Sequence, residues 1–451
     1  MLTAAAIETK TFFDELRESE FSRLDARHHA YLDYAGSALY GESQLRAHYA
    51  LLAEGIFGNP HSDTGPSRAS TEVIESARRT LLRFLDVDES THDVCFTANT
   101  SAAIKLVAEA YPFSPESGCF LSVDNHNSVN GIREYARRAG GRVRYLPLDD
   151  ELRLLDAEVL LAEESLCGGG LVAFPVQSNF SGVQHPLELV MKARALGFDV
   201  LLDVAAFVPS HAFSLRRCPA DFVALSFYKL FGYPTGIGAL VARRDALARL
   251  RRPWFAGGTV VYASVAAGAH LLRSHHEGFE DGTPNFLGIA ALDAGFRLLN
   301  EVGMPRLTAH VSQLTREFLD DLLALRHRND IPLVRIYGPR DMTARGGAVA
   351  FNVCDREGRP IPYSLVETRA RRAGVSVRGG CFCNPGASEA AFGLDAARIA
   401  ACFDELGAGF TPERFAECSH TAVGAVRVSI GLANNADDIR RAVDVVASFR
   451  E

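Results

Sequence analysis

The sequence predicts an α/β protein with a large domain built on a largely parallel sheet and a smaller α+β domain. Three observations carry this reading. The chain has 451 residues, 47% of them hydrophobic, which is enough material for two cores. Between about residues 93 and 243, short β-branched or apolar runs alternate with helical patterns, as in a sheet buried on both faces. After about residue 295 the pattern changes to long helices followed by short strands.

Taken in order, residues 7–24 read as a helix inside an N-terminal segment, 1–30, and the large domain is assigned 31–295. Its strands are expected in "DVCFTAN", "CFLSVDNH", "GLVAFPVQSN", "VLLDVAA", "FVALSFYK" and "GIGALVAR". Helices are expected in "SAAIKLVAEA", "GIREYARRAG" and "PLELVMKARALG". The C-terminal α+β domain, 296–451, opens on "FRLLNEVGMPRLTAHVSQLTREFLDDLLAL" and continues with strands around "GGAVAFNV", "GVSVRGG" and "AVRVSIG".

A net charge of −8 dispersed over many residues, with no Lys/Arg block, argues against nucleic acid or an anionic membrane as partner. The first residues lack a basic region followed by an apolar core, and no later stretch gives about 18 uninterrupted apolar residues. A cytoplasmic protein is expected. The nine cysteines are irregularly spaced with no CxxC, so neither a disulfide framework nor a zinc site is suggested, and most should be buried as small apolar side chains.

Several strand runs end in polar residues: Thr100 and Ser101, Asp124 and His126, Asn179, Asp203, and Ser226 to Lys229. Each alone fits an ordinary cap or turn, but ligands in open α/β sheets bind beyond the carboxyl ends of the strands, where these residues would converge. Lys229 closes an apolar strand, and desolvation there favours a neutral, nucleophilic amine suited to Schiff-base chemistry. Asp203, at the end of "VLLDV", needs a cationic partner, and a protonated pyridine nitrogen would serve. Together they match what pyridoxal phosphate requires. Thr100, Ser101 and Ser226 offer hydroxyls, and a helix N-terminus offers amides, for its phosphate. His126 could lie flat on the ring.

"YLDYAG" (31–36), "GNPHS" (58–62), "TANTSAAI", "DNHNSVNGIREYA", "FPVQSNFSG", "LLDVAAF", "SFYKLFGYPTGIGAL", "FEDGTPNF" and "RGGCFCNPGA" followed by "AVRVSIG" run in order along nearly the whole chain. In this combination the chain resembles the class V aminotransferase and cysteine desulfurase superfamily, and within it the pyridoxal phosphate-dependent N-terminal domain of molybdenum cofactor sulfurases. The resemblance implies a fold type I pyridoxal phosphate-dependent transferase with a mainly parallel seven-stranded sheet, acting as a homodimer. It assigns Lys229 to the covalent link with the cofactor and to the base at the substrate α-carbon. Asp203 falls at the pyridine nitrogen, Asn179 near the ring hydroxyl and the substrate, and His126 on the ring. Thr100, Ser101 and Ser226 fall at the phosphate, with Thr283 reaching the phosphate of the neighbouring subunit. Arg427 is assigned to the substrate α-carboxylate; from the residues alone it reads as an exposed strand residue.

"VRGGCFCNPGAS" is the least ordinary stretch. A CxC on extended backbone points its thiols to opposite faces, which disfavours a bond between Cys381 and Cys383, and two ligands from one loop do not complete a zinc site. The resemblance assigns Cys383 as the thiolate nucleophile on a mobile loop, with Cys381 as a flanking thiol. Three departures stand out: Tyr228 where simpler desulfurases commonly carry His, Ala206 where they usually carry Gln, and Ser388 where the sulfurase branch often has a further cysteine. The implied activity is a cysteine desulfurase that converts L-cysteine, or a related thio-amino acid, to L-alanine and a persulfide on Cys383 for an acceptor protein or small molecule. The alternatives are a C-S lyase acting by β-elimination, a class V aminotransferase, and a non-catalytic scaffold.

Overall fold

In a computed structural model of the chain, residues 4–165, 168–421 and 423–451 are described. Seven strands form the central sheet: β1 (His92–Thr97), β2 (Gly118–Ser122), β3 (Arg142–Leu146), β4 (Gly170–Pro175), β5 (Phe198–Asp203), β6 (Phe222–Ser226) and β7 (Gly238–Arg243). Their order is β1-β7-β6-β5-β4-β2-β3. From β3 to β6 the strands run parallel, while β7 is antiparallel to both β6 and β1. Every strand but β7 therefore ends on one edge of the sheet. Six strands fall in the expected runs. β3 was not among them, because "RVRYL" alternates arginine with apolar residues, the pattern of an edge strand with one wet face.

Successive residues of the inner strands feed two different cores. Leu171 and Ala173 of β4 join one apolar cluster, and Val172 and Phe174 join the other. The helix Thr100–Ala110 packs on β6 and β7, and the helix Glu188–Ala195 packs on β5. Apolar residues at every position thus reflect burial on both faces.

The second sheet is antiparallel, with β8 (Val334–Tyr337), β9 (Ala348–Val353), β10 (Arg378–Gly380) and β11 (Ala425–Ser429) in the order β8-β9-β11-β10. The N-terminal helix, Ala4–Phe21, docks on this part of the molecule. Its Arg17 donates to the Ala433 carbonyl at 2.5 Å and to Asp438 at 2.8 Å, and Phe13 stacks on His310 at 3.7 Å between ring centres. Ala30 and Tyr31 then pair in parallel with Val375 and Ser376, and Asp33 bridges to Ser429, which carries "YLDYAG" to the junction of the two sheets.

His310 makes this docking sensitive to acid. Burial pulls its pKa down to about 4, although its Nε2–H donates to the Asn434 carbonyl. The folded value lies below the unfolded value of about 6.5, so the unfolded chain takes up the proton first. This contribution to stability is complete above about pH 6.5 and lost as the pH falls towards 4, amounting to about 2–3 kcal/mol at pH 4.5. We expect His310→Gln to lose less Tm than the wild type between pH 7 and pH 4.5. Equal losses would place the acid sensitivity elsewhere.

One expectation is corrected. Cys402 and Cys418 form a disulfide with a Cα–Cα distance of 5.9 Å. The helices Ala396–Leu406 and Pro412–Ser419 pack against each other and bring the two sulfurs together, which linear spacing does not reveal. Cys95, Cys119, Cys218 and Cys354 are buried as expected, Cys381 is half-buried, Cys383 is exposed, and Cys167 lies outside the described residues. No helix among the described residues is long and apolar enough to cross a membrane.

Candidate active site

A cavity of about 170 Å³ opens at the carboxyl edge of the large sheet, lined by Thr100, Ser101, His126, Asn179, Asp203, Ser226 and Lys229 among others. Strand ends place each of them. Asp203 is the last residue of β5; its Oδ1 accepts the Ala205 amide at 2.9 Å, and its other oxygen has no partner among the described residues. Lys229 follows β6 in the short helix Phe227–Phe231 and makes no hydrogen bond or ion pair to the described residues. Burial lowers its pKa, with Asp203 opposing and Arg427 reinforcing the shift. The amine is therefore more available in neutral form than an ordinary lysine.

The opposite end of the cavity is a cluster of hydroxyls. Thr100 donates its N–H to Ser226 Oγ at 2.7 Å, and the two hydroxyls lie 2.5 Å apart. Ser101 Oγ lies 2.5 Å from Ser128 Oγ, which also meets His126 Nδ1 at 3.0 Å. This cluster sits at the N-terminus of the helix Thr100–Ala110, which Asn99 caps by accepting from the Ala102 amide. Gly238 permits the approach, since a Cβ there would lie 2.5 Å from the Asn99 backbone. His126 Nδ1 accepts the Ser128 amide at 3.1 Å, which leaves the ring's proton on Nε2, and burial lowers its pKa. The donor set fits pyridoxal phosphate: hydroxyls and helix amides suit a phosphate, Asp203 a protonated ring nitrogen, and the free Lys229 amine an aldehyde.

The cysteine stretch is not extended, contrary to the premise used for its two thiols. Phe382 and Cys383 both have φ of 56°, and the Asn384 amide donates to the Cys381 carbonyl at 2.9 Å, closing a tight turn with two left-handed residues at its centre. Such a conformation costs of order 1–3 kcal/mol per residue and persists where the surroundings impose it. They do so here. Asn179 Nδ2 donates to the Phe382 carbonyl at 2.8 Å, and the Asn127 amide donates to the Cys383 carbonyl at 2.7 Å. Asn384 Nδ2 donates to Asn179 Oδ1 at 2.9 Å and to the Asp124 carbonyl at 2.6 Å. Gly386 lets the following helix press on β2's exit, because a Cβ there would lie 2.1 Å from the Val123 carbonyl oxygen. The expected mobile loop is thus a pinned turn, and the Asn179 amide, assigned to the ring hydroxyl, is engaged in pinning it. Removing the Asn384 side chain should destabilise the protein by about 1–3 kcal/mol. The check is the Tm of Asn384→Ala; an unchanged value would mean that the turn holds itself.

Arg427, on β11, is not exposed; it is 2% accessible. Its Nη1 donates to the Asn179 carbonyl at 2.8 Å, its Nη2 to Asp33 Oδ1 at 3.0 Å, and it lies over the Phe382 ring, while Nε is buried without a partner among the described residues. Burial pulls its pKa down to about 10, with Asp33 opposing, so the group remains charged at neutral pH. Asp33 also holds Arg378 through Nε at 3.0 Å. The Cys383 thiol lies in electrostatic reach of Lys229, Tyr228, Arg378 and Arg427, which brings it to the mouth of the cavity. Thr283 is not there. It lines a separate cavity with Phe96, Ala98 and Gly236. Ser388 is buried in the helix Pro385–Phe392, so a cysteine at that position would be buried as well.

Residue-level reasoning missed Asp33, Arg378, Asn384 and Ser128. All four lie in quoted motifs, but each acts on another protein group, and such partners become visible only when distant segments meet.

The fold is that of solved cysteine desulfurases. The structure resembles the apo cysteine desulfurase from Thermococcus onnurineus NA1 with a TM-score of 0.79 and 24% identity, covering 96% of this chain and 97% of that one. For the cysteine desulfurase CsdA of Escherichia coli the TM-score is 0.75 at 22% identity, covering 97% and 98%. A cystine C-S lyase, C-DES, shares the fold too, with a TM-score of 0.71 at 18% identity, covering 96% of this chain and 100% of that one. Residues 30–442 match the aminotransferase class-V family, and the chain belongs to that family. It is 34% identical to the molybdenum cofactor sulfurase of Arabidopsis thaliana over 96% of this chain and 58% of that protein. With the molybdenum cofactor sulfurase 3 of Aedes aegypti the identity is 36% over 95% and 57%. The chain thus spans less than two thirds of the length of these relatives.

Proposed function

We propose that this protein is a pyridoxal phosphate-dependent cysteine desulfurase that takes sulfur from L-cysteine, leaves L-alanine and carries the sulfur as a persulfide on Cys383 for an acceptor. The observation that carries this reading is the exposed Cys383 thiol, held on a strained turn within electrostatic reach of Lys229 and Arg427. Desulfurases and a C-S lyase share the fold, so the fold does not separate them. A β-elimination expels sulfur without a protein thiol, whereas a desulfurase requires one.

Bound pyridoxal phosphate supplies an electron sink for the bonds at the substrate α-carbon. Thr100, Ser101 and Ser226 would hold its phosphate, Asp203 its ring nitrogen and His126 its ring face. The Lys229 amine, favoured in neutral form by burial, takes the α-proton. Arg427, with an unpaired buried Nε, receives the α-carboxylate in a charge-assisted contact. The Cys383 thiolate bonds to the substrate sulfur as the carbon–sulfur bond breaks, which gives the persulfide, and return of a proton to carbon gives alanine.

The same proposal includes a cytoplasmic homodimer in which Thr283 serves the neighbour's phosphate. Two features support the pairing: Thr283 lies outside its own chain's cavity, and Trp254, Val261, Tyr262 and Val265 are exposed on and beside a two-stranded ribbon, Val260–Ser264 with Ala269–Leu272. The test of the activity is a product analysis after incubation with pyridoxal phosphate and L-cysteine. Alanine without pyruvate is expected; pyruvate in place of alanine would assign the lyase.

A further inference from the structure

The reaction above leaves one side of the cofactor cavity without a task. Three adjacent strands end at the cavity: β6 at Ser226, β5 at Asp203 and β4 at Pro175. Under the proposed function Ser226 holds the phosphate and Asp203 the ring nitrogen, so the phosphate lies on the β6 side of Asp203. In pyridoxal phosphate the phosphate arm and the ring hydroxyl flank the aldehyde carbon, on opposite sides of the axis from that carbon to the ring nitrogen. With the arm towards β6, the hydroxyl falls on the β4 side. The chain leaving β4 brings two side-chain amides there, those of Gln177 and Asn179.

Asn179 holds the cysteine turn with both its Nδ2 and its Oδ1. Gln177 is differently engaged. Its Nε2 donates to the Ala206 carbonyl at 2.9 Å, and position 206 is where simpler desulfurases usually carry Gln. A side-chain amide is thus present beside Ala206, but it comes from the exit of β4. A network of neighbours decides which end of this amide meets the cavity. Gln184 Nε2 donates to Gln177 Oε1 at 3.1 Å and to His211 Nε2 at 3.0 Å, which uses both of its hydrogens. His211 can accept because burial pulls its pKa down to about 4, and its Nδ1–H donates to Ser210 Oγ at 2.9 Å. Gly346 closes on the same Gln177 oxygen, since a Cβ there would lie 2.0 Å from Oε1. The oxygen is therefore occupied from the protein side. The buried Nε2 keeps a second hydrogen that no described residue accepts.

We propose that Gln177 donates this second hydrogen to the ring oxygen of pyridoxal phosphate, and so positions the cofactor in place of the glutamine that position 206 lacks. The proposal rests on the cofactor reading of the site and is independent of where the sulfur goes. A preset donor of this kind stabilises the oxygen without having to reorient, because Gln184, His211 and Gly346 already fix the amide.

The test compares the affinity of the full chain for pyridoxal phosphate with that for 3-deoxypyridoxal phosphate, which lacks the ring hydroxyl, in the wild type, Gln177→Leu and Gln177→Met. Either substitution should weaken pyridoxal phosphate about tenfold, the loss of one hydrogen bond, and leave the deoxy compound within about twofold. Unchanged binding of the deoxy compound also shows that the site still folds. A ratio of the two affinities that is the same in wild type and variants overturns the proposal alone, whether both compounds weaken together or neither does. Loss of deoxy-compound binding in both variants gives Gln177 a structural role and overturns it as well. Binding of neither compound to the wild type overturns the cofactor reading, and the proposal with it.

Discussion

Cys383→Ser stops alanine formation from L-cysteine, by at least about a thousandfold, while the visible absorbance of bound cofactor persists. The hydroxyl keeps the turn's shape but is a far weaker nucleophile towards sulfur than a thiolate. Nothing that holds the cofactor changes, since Thr100, Ser101, Asp203 and Ser226 lie on the sheet side of the cavity and the turn is pinned through backbone carbonyls. Absorbance and alanine assays on the same preparation check both halves. Alanine formed at the original rate would remove Cys383 from the chemistry, and pyruvate in its place would indicate that elimination runs without the thiol.

Lys229→Ala is expected to abolish turnover by at least about a thousandfold and to remove the visible band of covalently held cofactor. Its amine reaches the cavity from the end of β6, next to Asp203, and has no competing partner among the described residues. The hydroxyl cluster and the Asp203 carboxylate that remain cannot replace a base at carbon. The readouts are the spectrum after dialysis and the alanine rate. A band that survives the substitution unchanged would show that the cofactor is held some other way, and would favour a scaffold without catalysis.

The features that sequence reading recovers are those written in local pattern. Six of the seven central strands announce themselves as apolar runs because both faces are buried, and their polar ends point to the edge where Thr100, His126, Asp203 and Lys229 meet. β3 escapes this reading because an edge strand has a wet face. Arg427 looks exposed in "AVRVSIG", but Asp33 and the Asn179 carbonyl, both far away along the chain, make its burial tolerable. The turn at Cys383 escapes as well: neither Phe382 nor Cys383 signals left-handed backbone, and the contacts that impose it come from Asn127, Asn179 and Asn384. The bond between Cys402 and Cys418 depends on the packing of two helices rather than on spacing.

Asp33 shares its carboxylate between Arg378 and Arg427. It neutralises one of two guanidiniums at the mouth of the cavity and leaves a net positive charge from Arg378 and Arg427 beside Cys383. That balance suits an anionic thio-amino acid and a thiolate in the same small space.

In the proposed reaction sulfur leaves the substrate for Cys383. The most direct test treats the cofactor-loaded protein with one equivalent of L-cysteine, without any acceptor, and measures alanine and the mass of the alkylated peptide that contains Cys383. Close to one alanine per active site and one added sulfur in that peptide are expected, the added sulfur being absent from Cys383→Ser. Alanine released with no sulfur on the peptide, or added sulfur that survives Cys383→Ser, would contradict it.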